Sequence, residues 1–504
     1  MLQISFQSQV SAGEGALALL CFDQKKLSSA AQNFNQHHKD MLEKALKTNH
    51  FKGKKGETLV LSAPCDSSYS RIVLIGLGDA EKFNQEILQN AGGTLVAALC
   101  GTPDTHVEVQ LGHDVQSTKF KTKDIAAHMA LGAQLRRWRF DKYRTTEKKE
   151  KKPALESLTF VLDDCAACQE VYQPLEQVAH GVCLTRELIT EPPNVIYPAS
   201  YAERLKELTS LGVEVEILGQ KELEKLGMGA LLGVAQGSMY EGKVVVLQWK
   251  GGNADQAPLA FVGKGVTFDT GGICIKPSAG MADMKYDMGG SAVVAGLIKA
   301  LAGRHAKINA VGVLGLVENM PSGTAQRPSD VVKSMSGQTI EVLDTDAEGR
   351  LVLADALWYT QDRFKPKLMI DLATLTGAIG VALGTHYAGL FSNNDNICQQ
   401  LVSSGDKVGE WVWRLPLGEK YDAEINSDIA DVKNLGPRGK GGSITAAQFL
   451  ARFVNNVPWA HLDIASVTWD EKSSPLAEKG ATGYGVRLLN QFICDHYEEC
   501  HDRN

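Results

Sequence analysis

The sequence lacks any apolar run long enough to cross a membrane, for which roughly 18–20 uninterrupted apolar residues are needed. The apolar stretch at residues 367–384 is broken by Asp371. No basic stretch precedes the apolar part of residues 1–22, so we expect no secretory signal peptide. These absences disfavour a membrane partner.

Cysteine is also sparse, at 10 of 504 residues. Scattered cysteines in a chain of this size form no dense disulfide framework, which predicts reduced thiols and a cytoplasmic protein. Cys165 and Cys168 have the spacing of half a zinc site, but no second pair of Cys or His follows at a suitable distance. We interpret both as ordinary buried or free thiols.

The sequence has no excess of positive charge, since its formal net charge is −7. This balance disfavours a nucleic-acid or anionic-membrane partner, although it does not exclude a local basic patch. Residues 136–139, Arg-Arg-Trp-Arg, combine basic and aromatic side chains. We interpret them as part of an amphipathic helix face rather than as a nucleic-acid contact.

Several common catalytic and nucleotide-binding motifs are absent. The sequence has no Walker loop and no His-Glu-x-x-His pair. Gly76 and Gly78 follow a predicted strand, but Glu81 stands where a dinucleotide-binding loop has its third glycine. The 12 histidines are scattered, and His461 is interpreted as a core residue rather than a ligand.

The composition that is present is that of a globular protein, with 44% hydrophobic and 22% charged residues. The length allows two to four domains by the usual range of roughly 100–200 residues per domain. Strand and helix patterns alternate along the chain, which predicts an α/β fold. We expect a small N-terminal α/β domain over residues 1–170 and a larger C-terminal α/β sandwich over residues 171–504, with a mixed sheet covered by helices.

Hydrophobic periodicity predicts the individual elements. In the first domain we expect an exposed loop at 144–153, strands at 15–22, 71–78, 107–111 and 158–162, and helices at 30–47, 84–100 and 122–140. Beyond it we expect helices at 175–191, 291–302 and 351–361, and strands at 213–218, 243–249, 259–262, 308–317, 367–371 and 460–464.

Two segments are unusually rich in acids, bases and glycines. The first, residues 262–276, follows a predicted strand and continues to residues 284–290. Ligands of α/β proteins bind where loops leave the carboxyl ends of strands. The second, residues 342–350, lies between a strand-like run and a helix. If it is extended, residues two apart share one face, so Asp346 and Glu348 converge with Arg350 at the end of the segment.

These segments together hold four carboxylates, on Asp269, Asp287, Asp346 and Glu348. Without cations, bringing four carboxylates together forces some to remain protonated. Two divalent ions balance them, and oxygen ligands suit Mg, Mn or Zn. The alternative is that these acids are solvated and each pairs with a neighbouring lysine. Their density in two glycine-rich segments favours the metal site.

At this point the residues resemble a known family. Residues 344–350, Asp-Thr-Asp-Ala-Glu-Gly-Arg, are similar to the Asn-Thr-Asp-Ala-Glu-Gly-Arg signature of the leucyl (cytosol) aminopeptidase family, of bacterial type with a dinuclear metal site. Residues 262–276 and 287–290 resemble its other metal-site segments. The resemblance covers roughly residues 175–495 and includes four further segments, at 371–377, 389–392, 442–447 and 480–487.

The resemblance implies a role for each matching residue. Asp269 and Glu348 would bridge two metal ions, Lys264 and Asp287 would complete the tighter site, and Asp346 would complete the more exchangeable one. As non-ligand catalytic residues it implies Lys276 and Arg350. From the sequence alone, Lys264 would instead be taken as a phosphate-binding residue, because an ammonium group cannot bind a metal.

The resemblance also implies the activity and assembly. It implies a cytosolic leucyl-type aminopeptidase that hydrolyses the N-terminal bond of peptides with a metal-bridging hydroxide. The ions would be Mn²⁺ or Zn²⁺, a bicarbonate ion would lie near Arg350, and the chain would form a homohexamer. Its substrates would be peptides with a free N-terminus.

Two positions depart from the family pattern. Asp344 replaces the usual Asn, and we interpret it as a turn residue that accepts a backbone hydrogen bond. Residues 465–467, Ala-Ser-Val, replace the usual Ala-Gly-Thr. Two rival functions remain open, an inactive hexameric binding protein and a peptidase that also binds DNA. Every implied ligand is present, which disfavours the first, and the acidic balance disfavours the second.

Overall fold

The computed structural model describes residues 1–10, 15–64, 67–117 and 119–498. The chain divides into two units, of which the first comprises Met1–Ala179 with Glu471–Gly480, and the second His180–Asp470 with Ala481–Asn504. Helix α5, Cys165–Thr190, runs through the position of the predicted boundary between residues 170 and 171. That boundary stays a prediction.

The remaining elements before residue 165 alternate between strands and helices. The strands are β1 Gln3–Gln7, β2 Ala16–Phe22, β3 Lys26–Leu27, β4 Thr58–Ser62, β5 Arg71–Gly78, β6 His106–Gln110 and β7 Ser157–Val161. The helices are α1 Ser29–His37, α2 Met41–Thr48, α3 Gln85–Leu99 and α4 Thr122–Arg137, with 3-10 turns at Asp23–Lys25, Ala80–Lys82 and Lys149–Lys151.

One sheet organises the described part of the first unit, in the order β1-β7-β6-β2-β5-β4, with β3 paired to β2. The pairs from β1 to β5 are parallel, and β4 is antiparallel to β5. Alternate residues of a strand point to opposite faces. In β2, Leu20 packs in a core with residues of α3 and α4, whereas Leu19 packs with residues of α1 and α2. Helices therefore cover both faces of this sheet.

The predicted helix over residues 30–47 was wrong in one respect, because two helices occupy this stretch. Lys39 and Asp40 between them have φ values of 51° and 56°, in the left-handed region that interrupts a helix. The Asn35 side chain accepts a hydrogen bond from Leu42 N at 2.9 Å, which satisfies a backbone donor at the start of α2.

The doubtful motifs of this unit have structural explanations. A Cβ on Gly76 would collide with Lys54 O, so this glycine permits close backbone packing. Arg137 in the 136–139 segment donates to Leu155 O at 3.0 Å and is half-buried at the end of α4. Cys165 and Cys168 are free thiols, and burial raises the pKa of Cys168 to about 12.

From residue 198 onward the chain again alternates. The helices are α6 Pro198–Leu205, α7 Gln220–Leu226, α8 Gly229–Ala235, α9 Gly289–Gly303, α10 Gly349–Phe364, α11 Gly377–Leu383, α12 Asp395–Val408, α13 Glu419–Ala423, α14 Gly442–Ala451 and α15 Val486–His496, with 3-10 turns at Lys206–Leu211 and Met281–Tyr286. The strands are β8 Glu214–Leu218, β9 Lys243–Lys250, β10 Leu259–Asp269, β11 Asn309–Asn319, β12 Val331–Lys333, β13 Thr339–Glu341, β14 Leu368–Ala373, β15 Ala388–Ser392, β16 Val412–Arg414, β17 Val432–Lys433, β18 Trp459–Asp463, β19 Trp469–Asp470 and β20 Gly480–Ala481.

Eight described strands of the second unit form a mixed sheet in the order β16-β15-β18-β14-β10-β11-β9-β8. Its centre, β18-β14-β10-β11, is parallel. A Cβ on Gly312 of β11 would meet side chains of α9, whereas one on Gly315 would meet Val352 of α10. These two helices therefore cover opposite faces of the sheet. The predicted α/β fold with a mixed sheet under helices is confirmed.

Strand β10 is longer than predicted, because it continues from Leu259 through Lys264 to Asp269. The predicted strand ended at residue 262 because two glycines follow it. In the structure a Cβ on Gly263 would lie 2.5 Å from Ser291 Cα, so glycine here lets α9 approach the strand. Among the described residues, no helix combines the length and apolar character needed to cross a membrane.

Candidate metal centre

The polar residues of the second unit gather where its parallel strands end. Strand β10 ends at Asp269, β11 at Asn319 and β18 at Asp463, and Thr374 directly follows β14. Parallel neighbours end at the same edge of a sheet, which is where α/β proteins bind ligands. All four side chains are buried.

Three carboxylates form a cluster suited to a metal ion. One oxygen from each of Asp269, Asp346 and Glu348 lies within 4.8 Å of the other two. Asp269 and Glu348 are buried, and the side chain of Asp346 is 35% exposed. Burial and the neighbouring Glu348 raise the pKa of Asp269 to about 6. A cation at this point would relieve that repulsion.

Lys264 joins the fourth predicted carboxylate to the cluster. Its Nζ donates to Asp287 Oδ1 at 2.7 Å and to Thr374 O at 2.8 Å, and it lies 2.8 Å from Glu348 Oε1. Burial alone would lower the pKa of Lys264, but the carboxylates of Asp287 and Glu348 outweigh it and raise that pKa. Lys264 is thus placed as an ammonium counter-ion, and it can bind a metal only after losing a proton.

Lys276 approaches the other two carboxylates, those of Asp269 and Asp346, from the loop after β10. Its Nζ lies 2.8 Å from Asp269 Oδ2 and also donates to Asp346 Oδ1. Four carboxylates therefore face two ammonium groups in one small region.

Two buried carboxylate oxygens without a hydrogen bond in the described part of the chain test whether a cation fits the site. Asp287 Oδ2 and Glu348 Oε1 are buried and accept no hydrogen bond from any described residue. Glu348 Oε1 is close to Lys264 Nζ, but not in hydrogen-bond geometry. Buried acceptors of this kind normally have a partner. Because carboxylate oxygens are the ligands of hard divalent cations, the donor set fits such an ion.

Two glycines make room for the cluster. A Cβ on Gly349 would lie 2.6 Å from Lys264 Cε, within the side chain that must reach the carboxylates. Gly271 has φ of +87°, and a Cβ there would lie 2.8 Å from Asp346 Oδ1. Larger residues at either position would displace a proposed ligand.

Residues 342–350 are not extended throughout, so the condition under which Asp346, Glu348 and Arg350 would share one face is not met. Ala347 N donates to Asp344 O at 3.2 Å, so the chain turns here, and Glu348 has helical dihedral angles directly before α10. The side chain of Asp344 accepts from Asp346 N at 3.0 Å, as expected of a turn residue. Asp346 and Glu348 still meet Asp269, because the turn rather than an extended face directs them.

Three further residues hold the site together, and none of them is predicted from the sequence. Asn319 donates to Asp269 Oδ1 at 2.8 Å, and Thr374 Oγ1 donates to Asp287 Oδ1 at 2.8 Å. Both lie at or just after the carboxyl end of a predicted strand, and that position was the available signal. Asn434 donates to Asp344 O at 2.7 Å from a segment without such a signal.

A cavity of about 370 Å³ opens beside the cluster. Its lining comes from three segments, namely Asp344, Asp346, Ala347 and Arg350; Leu375, Thr376, Gly377 and Ala378; and Leu435, Gly436, Pro437, Arg438, Gly439, Gly442 and Thr445. Buried Arg350 donates to Asn434 O at 2.8 Å, and its Nε has no partner among the described residues. Burial lowers the pKa of Arg350 to about 10, so its guanidinium stays charged at neutral pH.

His461 lies outside the cluster. It is fully buried on β18, and its Nδ1 lies 2.6 Å from Asp371 Oδ1. The other carboxylate oxygen of Asp371 accepts a hydrogen bond from Trp459 Nε1 at 2.7 Å. Its burial confirms the prediction of His461 as a core residue, but the Nε2 of His461 has no hydrogen-bond partner among the described residues.

Two family models match the chain. Residues 18–147 match the N-terminal domain of the cytosol aminopeptidase family, and residues 183–490 match its catalytic domain. A probable cytosol aminopeptidase of Caulobacter vibrioides is 53% identical over 485 residues, covering 96% of this chain and 97% of that protein. Another, of Rhodopseudomonas palustris, is 50% identical over 498 residues, covering 99% of each.

Solved structures agree over nearly the whole chain. A mutant of tomato leucine aminopeptidase has a TM-score of 0.86 at 33% identity, covering 98% of this chain and 97% of that one. The bottromycin maturation enzyme BotP in complex with manganese has a TM-score of 0.82 at 29% identity, covering 95% of this chain and 98% of that one.

Proposed function

The chain belongs to the cytosol aminopeptidase family and is an aminopeptidase, a hydrolase of peptide bonds, and we propose that it works with two divalent cations. The observation that carries this proposal is the buried carboxylate cluster, with two oxygens that accept no hydrogen bond from the described residues. The manganese in BotP supports a divalent cation in this fold.

The cations would be held by five residues of the second unit, namely Lys264, Asp269, Asp287, Asp346 and Glu348. On the family resemblance, Asp269 and Glu348 would be the ligands shared by both ions. Lys264 and Asp287, which are hydrogen-bonded to each other, would complete one site, and Asp346 would complete the other. Lys264 would act as a neutral amine, its proton lost on binding. We propose Mn²⁺ or Zn²⁺ as the resident ions.

Two such ions supply an activated water at neutral pH and polarise the scissile carbonyl. The chain's own residues orient the substrate around them. Lys276, within ion-pair distance of Asp269, would place a positive charge where negative charge develops on the carbonyl oxygen. Arg350, charged and facing the cavity, would hold a bicarbonate ion through its planar guanidinium.

The carboxylates also account for the position of cleavage. A neutral α-amine can bind a cation through its nitrogen and donate an N–H to a carboxylate, and Asp287 has a buried oxygen that accepts no hydrogen bond from the described residues. We propose that this oxygen and a cation receive the substrate amine, so that only the N-terminal residue is released. Peptides with a free N-terminus would then be the substrates.

Location and assembly follow the relatives. The name cytosol aminopeptidase supports a cytosolic enzyme. We propose a homohexamer on the family resemblance, and light scattering of the purified chain would test it. Mass corresponding to a single chain at working concentration would contradict that assembly.

The central experiment is hydrolysis of leucyl amide with controlled metal. A strong chelator should abolish activity, and Mn²⁺ or Zn²⁺ should restore it at about two ions per chain. N-acetyl-leucyl amide should resist cleavage throughout, because its amine is blocked. Full activity in rigorously metal-free protein, or equal cleavage of the blocked substrate, would contradict the proposal.

A further inference from the structure

The rim of the cavity carries an arginine that the mechanism above does not use. Arg438 lines the cavity and is exposed, in a turn closed by the hydrogen bond from Lys440 N to Pro437 O at 3.3 Å. Gly439, the third residue of this turn, has φ of +72°, a conformation that glycine adopts without strain. A tight turn therefore presents Arg438 at the cavity edge.

The base of this turn is fastened to the site. Asn434 accepts from Leu343 N at 2.8 Å and donates to Asp344 O at 2.7 Å, so it is bound to the turn that carries Asp346. A Cβ on Gly436 would lie 2.7 Å from Thr445 Oγ1, so the loop segment that leads to Arg438 packs tightly against α14. Arg438 thus extends from a base with a defined position relative to the carboxylates.

The cavity lining carries two acids, Asp344 and Asp346, and two arginines, Arg350 and Arg438. Asp346 lies on the cluster side, bonded to Lys276, and Arg350 is buried with one bond to Asn434 O. Arg438 has no ion pair or side-chain hydrogen bond with any residue that the structure describes. Its guanidinium is consequently available to an anion inside the cavity.

We propose that Arg438 binds a carboxylate on the leaving side of the peptide substrate, an inference that rests on the proposed function. The substrate amine is drawn to the carboxylate cluster, so the part after the cleaved bond extends to the rest of the cavity. A guanidinium binds a carboxylate with two parallel hydrogen bonds. The carboxylate has two sources, the C-terminus of a dipeptide or the side chain of Asp or Glu directly after the cleaved bond.

Three substrates separate these sources. Leucyl-alanine carries only a C-terminal carboxylate, leucyl-aspartyl amide carries only a side-chain carboxylate, and leucyl-alanine amide carries neither. The variants are Arg438→Ala, Arg438→Lys and, as a matched control, Lys440→Ala. Lys440 is exposed in the same turn but does not line the cavity.

We expect Arg438→Ala to lower kcat/KM about fivefold for at least one carboxylate substrate, mainly through KM, as for one partly exposed ion pair. The variant should cleave leucyl-alanine amide as well as the unmodified chain does. The carboxylate substrate with the larger loss of kcat/KM shows whether Arg438 binds the C-terminal or the side-chain carboxylate. Arg438→Lys should recover part of the loss, and Lys440→Ala should behave as the unmodified chain. An equal loss of kcat/KM on all three substrates, or no loss on any, would overturn the proposed role of Arg438 and leave the proposed function standing. Failure of the unmodified chain to cleave any of them would overturn the proposed function as well.

Discussion

The two units share one architecture and use it differently. Each has a largely parallel central sheet covered by helices, and in each the chain places acids after its strands. In the first unit these acids accept hydrogen bonds from neutral backbone groups: Asp79 accepts from Glu81 N, and Asp114 accepts from Ser29 N at 2.8 Å. In the second unit Asp269 also accepts from Gly271 N at 2.9 Å, but Asp269 and Asp287 lie near other carboxylates as well. Acids that follow strands therefore do not by themselves form a candidate metal site. The convergence of several carboxylates distinguishes the second unit.

The buried acids show the same contrast. Glu108 of the first unit is fully buried on β6 and accepts from Tyr69 OH at 2.9 Å, a neutral partner. Glu348 of the second unit is buried beside two lysines and further carboxylates, and has an oxygen without a hydrogen bond from the described residues. Glu108 thus has a neutral hydrogen-bond partner, whereas Glu348 lies among like charges, where we propose that a cation binds. The predictions that follow test this difference.

The largest effect should come from the lysines of the second unit. Lys276→Ala should lower turnover about 10²–10³-fold while metal content stays the same, because it acts on developing negative charge. Lys264→Ala should lower turnover and also metal content, measured by elemental analysis. Lys82, an exposed lysine shortly after β5 of the first unit, is the matched control, and Lys82→Ala should change neither quantity. Equal metal content in the Lys264 and Lys276 variants would refute the ligand assignment.

A smaller effect, on stability alone, should come from the buried acid of the first unit. Glu108→Ala removes the acceptor of the Tyr69 hydroxyl, and the lost hydrogen bond should cost about 1–3 kcal/mol of the free energy of unfolding. Denaturant unfolding measures this cost, with Tyr69→Phe as a milder control. Turnover at a temperature where the variant is folded should be unchanged. A variant of normal stability that loses metal would erase the contrast between the units.

The smallest effect should come from Asp344. Its side chain accepts from Asp346 N within a turn, and the amide oxygen of Asn can do the same. Asp344→Asn should therefore keep its metal content and change turnover by less than about tenfold, or ~1.4 kcal/mol of barrier. A thousandfold loss, or loss of one ion, would make Asp344 a metal ligand.

Much of the fold could be predicted from the sequence, because its signals are local. The alternation of apolar runs located β2, β5, β8, β14 and β18 to within about two residues, which is the usual precision of such boundaries. The predicted element boundaries were wrong where tertiary contacts determine the end of a helix or strand. The left-handed pair Lys39 and Asp40 splits a helix whose apolar pattern continues across it. Gly263 looked like the end of a strand, but it permits the close approach of α9.

The site could be predicted in part, for a related reason. Acids after strands and the family signature pointed to Asp269, Asp287, Asp346 and Glu348, and the structure brings these residues together. The turn at residues 344–347 and the anchoring by Asn434 could not be read from local patterns. Asn434 reaches Asp344 from 90 residues away, and only the folded chain defines that contact.

The hydrogen bond from Lys264 to Thr374 O has a consequence for folding. It joins residues 110 positions apart, between strands that pair in parallel only after the intervening chain has been closed into a loop. Before that closure Lys264 and Asp269 of β10 are not held beside Asp346 and Glu348, and afterwards they are. We therefore expect the candidate metal centre to form together with the sheet rather than early on a loop. Partial unfolding of β10 or β14 should separate these residues again.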